Sequence, residues 1–510
     1  MSSKETKMNI TNKVRKPLGA ALITAMLLII GLSSGCAKEP KSSTPAQGSL
    51  SPQEYFADRI QMESGQPAVA SIPELYDELD FQRAVQAYVW ATRFVSMSAV
   101  FESLAKEYGA TLTRQAVFEQ SVTPDLKVFT GNNTTIYAFG QLDLKKHGPI
   151  VLDAPEGTLG GIDNHWQYPL MDIGPFGPDK GKGGKFLVLP PSYEKDIPDG
   201  YHVVKSDTYQ NFYLLRGIAK NGDLQSAVDN IRKGKLYPLS EAANPPKMEW
   251  FNASGKSADM TFPTDYRYFE LLAKHLTEEP ARAQDMTMLG MLAPLGIVHG
   301  KPFEPDERVR GILERAAKVG NAMSRTIAYN SRNPNRVYVE GSKWEFVFLT
   351  KSATFETESY LDVDATVTFS HQALFTAQGM VQKIVGKGSQ YLAAYKDGDG
   401  NWLDGGQSYS LHMNPDVPVE NFWSVMVYDA ETRSMIVNDQ VPGRDSNAEL
   451  KTNSDGSVDL YFAPTAPKGL ESNWVKTLPG KGFFLYFRAY GPKKEFFDRS
   501  WKLNDLKKGR

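Results

Sequence analysis

The sequence predicts a multidomain α+β protein, with a β-sandwich N-terminal domain, a helical middle segment and a jelly-roll-like β-sandwich C-terminal domain. Two observations support this class. Residues 115–218, and again the residues after Tyr391, contain short runs rich in β-branched and aromatic residues, separated by Gly, Pro, Asp and Asn turns. Between these regions, from Asp223 to about Asn330, apolar residues recur at helical spacing. We place the three parts at 54–222, 223–335 and 336–510.

A helix opens the folded part of the chain. Phe81, Ala84, Val85, Tyr88 and Val95 fall at helical spacing. Further aromatic residues widen this apolar stripe, so we expect the helix to be buried on most sides. The strands predicted after it are Lys127–Thr130, Thr135–Phe139, Ile150–Asp153, Phe186–Leu189, Tyr201–Val204 and Tyr209–Leu215.

The middle and C-terminal parts give one clear assignment and one ambiguous one. Apolar residues from Val309 to Ile327 keep one helical face for about five turns. Residues 361–378 alternate like a strand, but the run is long for a strand and contains no Gly or Pro, so we predict a helix. The strands predicted at the C-terminal end are Tyr391–Lys396, Ser408–Met413, Asn421–Tyr428, Val458–Phe462 and Gly482–Tyr490.

The N-terminal 35 residues have the pattern of a bacterial lipoprotein signal peptide. A basic region precedes an apolar run from Ala20 to Leu32, and small residues stand directly before Cys36. Cys36 is the only cysteine, so no intramolecular disulfide is possible, and we predict that it is lipidated. Residues 36–53 are rich in Pro and Ser and predict a flexible tether. We therefore expect a lipid-anchored protein of the cell envelope, at the outer membrane, facing the periplasm or the exterior.

Charge argues against a nucleic-acid partner. Removing residues 1–35 takes five Lys/Arg and one Glu from totals of 57 and 59, which leaves a net charge of −6. Nucleic-acid binding requires a strongly basic face. The partner that the sequence does predict is the membrane, reached through the lipid anchor; self-association into a homo-oligomer remains open.

Two sets of motifs resemble a known pair of modules. Asn132–Tyr137, Gln141–Leu144 and Gly148–Leu152 resemble the N-terminal module called domain of unknown function 1254, DUF1254. A larger set is similar to the C-terminal module called domain of unknown function 1214, DUF1214; it comprises Asp397–Gly400, Leu403–Gly405, Tyr409–Leu411, Phe422–Val425, Tyr428–Asp429, Asp455–Ser457, Asn473–Trp474, Phe487–Tyr490 and Trp501. The resemblance implies the architecture given above and no established activity.

One loop has the composition of a cation site. Asp397, Asp399, Asn401 and Asp404 place four oxygen-bearing side chains within eight residues, and Ca²⁺ prefers such ligands. Trp402 and Ser408 stand where an EF-hand requires Gly and Glu, so an EF-hand is excluded. A Gly-rich hairpin that uses Asp and Asn for turn conformations explains the same residues, and we favour it. No cofactor other than this Ca²⁺ is indicated.

A group of large side chains near the C-terminus is a candidate ligand-binding set. Aromatic rings beside an arginine can stack on a sugar or bind an anion. The alternative, which we favour, is that these residues form the core of the sandwich. The members of the set are Tyr409, Trp423, Trp474, Arg488 and Tyr490.

The most reactive-looking local pattern surrounds one histidine. His165 follows Asp163 closely, and Asp172 lies seven residues further on, so an acid/base group with an orienting carboxylate is conceivable. A loop histidine that satisfies backbone groups is the favoured alternative. The chain has no H-E-x-x-H motif, and one cysteine does not make a zinc site.

Three function classes remain open. The favoured one is an envelope lipoprotein that binds a small ligand, an envelope polymer or a partner protein. The second is a hydrolase with a carboxylate/His or metal site at the domain junction, since a pair of carboxylates leaves no sequence motif. The third is a structural envelope protein.

Overall fold

The longest helix of the protein is α1 (Ile72–Tyr108), which has Pro73 in its first turn and ends at Gly109 in the left-handed region with φ 57°. From Ala84 to Leu104 nearly every side chain is buried, which confirms the expectation that this helix is enclosed. The other helices are α2 (Leu144–His147), α3 (Leu224–Ile231), α4 (Arg267–Leu276), α5 (Met286–Leu292), α6 (Glu307–Tyr329), α7 (Val363–Ser370), α8 (Gln378–Val381) and α9 (Lys494–Phe497).

This computed structural model describes residues 56–133, 135–217 and 223–509. Cys36, the signal peptide and the tether predicted from the sequence lie outside the described residues. The chain divides into two units, Met1–Ala68 and Val69–Arg510. The described part of the first unit holds a 3-10 helix, Phe56–Arg59, and a hairpin of β1 (Met62–Glu63) and β2 (Gln66–Pro67). Within the described residues, no helix has the length and apolarity needed to cross a membrane.

The N-terminal strands of the second unit form two open sheets. The six-stranded sheet has the order β13 (Glu249–Asn252), β3 (Arg114–Phe118), β5 (Ile136–Asp143), β11 (Gln210–Gly217), β7 (Leu159–Asn164) and β8 (Pro169–Ile173). The four-stranded sheet has the order β10 (His202–Lys205), β9 (Gly184–Leu189), β6 (Ile150–Ala154) and β12 (Lys235–Pro238). A short parallel pair joins β4 (Leu126–Lys127) to β14 (Ala258–Asp259).

The C-terminal strands form a second pair of open sheets. The five-stranded sheet has the order β15 (Trp344–Phe346), β16 (Ser389–Ala394), β22 (Phe483–Pro492), β18 (Val419–Asp429) and β19 (Gly443–Asp445). The four-stranded sheet has the order β21 (Trp474–Lys476), β20 (Val458–Ala463), β17 (Tyr409–Met413) and β23 (Lys507–Lys508). The fold is therefore α+β with a sandwich at each end of the second unit, as the sequence predicts.

A layer of helices separates the two sandwiches. One apolar core lies inside the N-terminal sandwich and includes Tyr213 and Leu215 of β11. Another lies inside the C-terminal sandwich and includes Leu485 and Phe487 of β22. The largest core joins α1, α4, α6 and α7 to the outer faces of both sandwiches.

β11 and β22 are among the strands that are covered on both faces, and their side chains alternate between two cores. On β11, Phe212 and Leu214 contact the helical layer, while Tyr213 and Leu215 face the N-terminal sandwich. On β22, Phe484 and Tyr486 contact the same layer. The next even-numbered residues, Arg216 and Arg488, follow this alternation and point toward the space between the sandwiches.

The segment 223–335, predicted as helical, also supplies strands. β12 pairs with β6, β13 pairs with β3 and β14 pairs with β4. Residues 361–378, predicted as one helix, form α7 and then leave the helix at His371.

Candidate functional site

A cavity of about 130 Å³ lies where the two sandwiches and the helical layer meet. Its walls are mostly apolar, with Phe139 and Phe212 from the N-terminal sheet and Phe369, Leu374 and Phe375 from α7 and the loop after it. Such a lining favours an apolar guest. A smaller adjoining cavity of about 50 Å³ shares Arg216, Met380 and Tyr391 with it.

Two arginines interrupt this apolar wall, and each belongs to a cross-strand pair with a tyrosine. On the N-terminal sheet, Arg216 of β11 lies opposite Tyr137 of β5, with its guanidinium carbon 5.4 Å from the ring centre. On the C-terminal sheet, Arg488 of β22 lies opposite Tyr391 of β16, at 5.8 Å. All four residues line the cavity, so each sandwich contributes one Tyr–Arg pair.

Arg488 is held firmly although only 3% of its surface is exposed. Its Nη2 donates to the carbonyl of Thr130 at 2.9 Å, and Tyr486 and Tyr428 lie within 5.7 Å of the guanidinium. Burial is the largest influence on its pKa and lowers it, but the surrounding phenol groups outweigh burial and leave the pKa above its ordinary value. Arg488 is therefore a charged group in an apolar wall.

The loop before β5 closes the cavity from the N-terminal side. The Oγ1 of Thr130 donates to the carbonyl of Gln372, and the hydroxyl of Tyr428 donates to the carbonyl of Gly131 at 2.7 Å. Asn132 donates to the hydroxyl of Tyr490 at 3.0 Å. These bonds tie one module to the other around the cavity.

The candidate aromatic set divides between two faces. Arg488 and Tyr490 lie on the cavity side of β22, where Tyr490 stacks on Phe422 with ring centres 4.0 Å apart. Tyr409 and Trp423 belong instead to the core of the C-terminal sandwich. Trp474 is buried as well, and its Nε1 donates to the carbonyl of Ala463 at 2.8 Å. Only two of the five residues are therefore brought together near the cavity.

The acid/base candidates have separate partners. Asp163 is fully buried and accepts from the backbone N–H of Thr376 at 2.9 Å, and burial raises the pKa of its carboxyl well above the ordinary value. Asp172 lines the smaller cavity, but its oxygens accept from the backbone N–H groups of Gln378 and Gly379. Neither carboxylate orients His165.

The partners of His165 come from elsewhere in the chain. Its Nδ1 lies 2.9 Å from Oε1 of Glu279, and its Nε2 lies 2.9 Å from the Oγ of Ser98. Phe94 stacks on the imidazole with ring centres 4.0 Å apart. This is the order of a nucleophile, a base and an orienting carboxylate, but all three side chains are buried and none lines the two cavities.

Burial sets the protonation of this group. It lowers the pKa of His165 well below its ordinary value and raises the pKa of Glu279 to about 7, against the opposing effect of N–H donation from Tyr209 and Gln210. The imidazole is therefore neutral in the folded protein.

The loop with the composition of a calcium site is built around one carboxylate. Asp397 is buried, and its Oδ1 accepts from the backbone N–H groups of Asp399 and Asn401 at 3.1 and 2.9 Å. Asp404 accepts from the N–H of Gly406. In the part of the chain that the structure describes, no three or more His, Cys, Asp and Glu side chains are grouped as metal ligands. A Ca²⁺ role for this loop stays a prediction.

Three residues of these sites are not singled out by the sequence: Arg216 at the cavity, and Ser98 and Glu279 beside His165. Arg216 stands near the end of a run of buried residues on β11, and a lone arginine in such a run is the signal that would have singled it out. Ser98 and Glu279 stand 67 and 114 residues from His165 along the chain, so no local pattern connects them.

Comparison with known families supports the two-part description. The DUF1254 model matches residues 114–238 and the DUF1214 model matches residues 388–494; both are described as proteins of unknown function. The first match contains Tyr137 and Arg216, and the second contains Tyr391 and Arg488. Each module therefore carries one of the Tyr–Arg pairs.

One solved structure has a similar fold. The chain is similar to the VPA0106 protein from Vibrio parahaemolyticus, at 18% identity and a TM-score of 0.51, over 84% of this chain and 100% of that one. An uncharacterized protein from Burkholderia cenocepacia aligns at 12% identity and a TM-score of 0.34, over 86% and 96%. No curated protein matches the chain.

Proposed function

The chain carries a DUF1254 module followed by a DUF1214 module, and from that premise we propose that it is a ligand-binding protein of the bacterial cell envelope. The small molecule is held between the two modules rather than within either one. Lipidation of Cys36 anchors the protein to the membrane, as the signal-peptide pattern supports.

The observation that carries this proposal is the apolar cavity that both modules line. A concave, mostly apolar wall with a few polar groups is the usual form of a small-molecule site. Each module supplies phenylalanines and one Tyr–Arg pair, so the site exists only when the two modules are assembled. An interface that served packing alone would be expected to fill this space with side chains, because protein interiors are close-packed.

Native mass spectrometry of the full-length protein, purified from its own cells, tests this proposal. We expect a small molecule to co-purify with the wild type. The variant Ala373→Leu adds bulk to the cavity wall and is expected to retain at least fivefold less of that molecule. Ala322→Leu on the exposed side of α6 is the matched control and is expected to retain it fully.

Two results would reject the proposal. One is a wild-type protein that carries no small molecule; the other is equal retention of the molecule by Ala373→Leu and the wild type. The melting temperature of each variant shows whether the protein remains folded.

A hydrolase is the second candidate, and the Ser98–His165–Glu279 arrangement favours it. In this reaction the imidazole of His165 carries its proton on Nδ1, and the Oγ of Ser98 attacks an ester carbonyl while passing its proton to Nε2. That proton then goes to the leaving alkoxide as the ester C–O bond breaks, and a water molecule hydrolyses the acyl-serine. Glu279 would orient the imidazole through Nδ1. The burial of all three groups speaks against ready access by a substrate.

A fluorophosphonate probe separates the two candidates, because it labels activated serines. The hydrolase candidate requires labelling of the wild type, loss of labelling in Ser98→Ala and retained labelling in Ser96→Ala, a neighbouring buried serine on the same helix. A wild type that remains unlabelled excludes it.

A further inference from the structure

In the described part of the chain, no carboxylate forms an ion pair with either of the two cavity arginines. Across residues 56–133, 135–217 and 223–509, none of the ion pairs includes Arg216 or Arg488. The groups that raise their pKa are tyrosines instead, and Tyr391 and Tyr490 act on both arginines. The two cations therefore lie near the same tyrosines.

Each guanidinium also has one donor that finds no partner among the described residues. Nη1 of Arg488 and Nε of Arg216 are buried and have no hydrogen-bond acceptor in the described part of the chain. A buried, unsatisfied donor destabilises the folded state, and it does so more strongly when the group is charged. Two such donors on the wall of one cavity are hard to explain by packing alone.

From this geometry we infer that the ligand of the cavity is an anion with a small apolar body, whose carboxylate or phosphate group is bound jointly by Arg216 and Arg488. This inference rests on the proposed function and specifies its ligand class. Guanidinium groups match planar carboxylates and phosphate oxygens, and such charge-assisted bonds are about twice as strong as neutral ones.

The size of the cavity limits the apolar body. A cavity of about 130 Å³ is close to the roughly 150 Å³ of an engineered apolar cavity that binds benzene. One six-membered ring, or a chain of comparable volume, fits against Phe139, Phe212 and Phe369, with the anionic group toward the arginines.

Calorimetric titration of the full-length protein in lipid nanodiscs tests the inference, with empty nanodiscs as background. The probes are benzoate, phenyl phosphate and benzamide, which is the neutral isostere of benzoate. We expect at least one of the two anions to bind tenfold or more tightly than benzamide. The comparison between benzoate and phenyl phosphate then distinguishes a carboxylate ligand from a phosphate ligand.

Variants assign the preference to the two arginines. In Arg216→Gln and in Arg488→Gln we expect the preference for the anion over benzamide to fall to threefold or less, while benzamide affinity stays within twofold. Arg310→Gln removes the same charge from an exposed position and should leave the preference unchanged. Arg488→Lys keeps the charge and serves as a second variant if Arg488→Gln does not fold.

The outcomes separate this inference from the proposed function. Equal binding of all three probes, or an anion preference that persists in both glutamine variants, overturns the inference while the cavity remains a ligand site. A co-purifying molecule that is uncharged overturns the inference in the same way. If neither the probes nor any co-purifying molecule binds, water satisfies the arginines and both proposals fail.

Discussion

At the scale of the residue, Glu279 and His165 form a buried titratable pair outside the cavity. Both groups are buried, and burial disfavours the charged form of each. The pKa of Glu279 therefore rises to about 7, and the pKa of His165 falls. Near neutral pH, a protonated Glu279 can donate to Nδ1 of a neutral His165. This pair therefore makes the stability of the protein depend on pH.

The expected pH dependence has a definite sign. Because the pKa of Glu279 is higher in the folded than in the unfolded state, its contribution to stability is complete below about pH 4.5 and is lost as the pH rises through about 7. In Glu279→Gln this contribution is absent. The free-energy difference between wild type and variant should therefore grow by roughly 3 kcal/mol as the pH falls from above 7 to 4.5.

Denaturant unfolding at several pH values measures this difference. Glu278→Gln, at the exposed neighbouring position, controls for the loss of one negative charge. His165 acts in the opposite direction, since its lowered pKa costs stability as the pH falls below 6.5, but this effect is common to wild type and variant. A difference that does not change with pH would contradict the assignment.

The residues near His165 show how little a local sequence pattern predicts about side-chain contacts. Asp163, His165 and Asp172 lie close together in sequence, yet each finds its partner on a distant segment, at Thr376, Glu279 and Gly379 respectively. Closeness in the sequence therefore does not determine which groups these side chains contact. The strand direction and the packing of the sandwich decide which atoms they meet.

At the scale of the element, the contact between α1 and α6 organises the helical layer. Gly320 of α6 packs directly on Tyr88 of α1, and a Cβ at position 320 would lie 2.6 Å from Cγ of that ring. Tyr88 itself stacks on Tyr268 of α4, with ring centres 3.8 Å apart, so it has little freedom to move. The two helices approach closely because residue 320 has no side chain.

Gly320→Ala should therefore destabilise the protein by about 1–3 kcal/mol, the usual cost of overpacking. Gly311→Ala on the same helix is the matched control, since a Cβ there meets no atom within 4 Å. That substitution should be neutral or stabilise by about 0.5–1 kcal/mol through helix propensity. Urea unfolding of both variants measures the contrast, and equal effects would contradict the close approach.

Elements with a strong local period were predictable, and elements defined by their partners were not. The apolar period of residues 309–327 gives α6, and the nearly continuous apolar run in 483–490 gives a strand buried on both faces. By contrast, α7 ends at Ser370, and the carbonyls that follow accept hydrogen bonds from distant side chains. Arg433 donates to the carbonyl of His371, and Thr130 donates to the carbonyl of Gln372. No local pattern contains that information.

Strand pairing explains the difference in the middle segment as well. Lys235–Pro238 and Glu249–Asn252 are short, and their apolar content is compatible with a loop. They become strands because β6 and β3 offer free edges to them. The sequence therefore specified the sandwiches but not which late segments would complete their sheets.

At the scale of the whole molecule, the two sandwiches are joined through charge as well as through apolar packing. Arg488 of the C-terminal sheet donates to Thr130 of the N-terminal module, and Arg325 of α6 donates to the carbonyl of Ala430 in the C-terminal module. The cavity lies beside the first of these bonds. Ligand binding and the assembly of the modules are thus expected to stabilise each other.

The position of this body in the cell depends on Cys36. If the thiol is lipidated as the sequence predicts, Cys36→Ser should move the protein from the membrane pellet to the supernatant after ultracentrifugation. Metabolic labelling with a palmitate analogue should mark the wild type and not the variant. Ser42→Ala, a substitution a few residues further along, is the control and should remain in the pellet.

Retention of Cys36→Ser in the membrane pellet would contradict the lipid anchor, because acyl chains attached to this residue are the proposed source of affinity. The interpretation also requires that the released variant be folded, which its co-purifying small molecule can show. Release with the molecule still bound would establish that the anchor and the cavity act independently. The anchor would then determine where the ligand is met, while Arg216 and Arg488 determine which ligand is held.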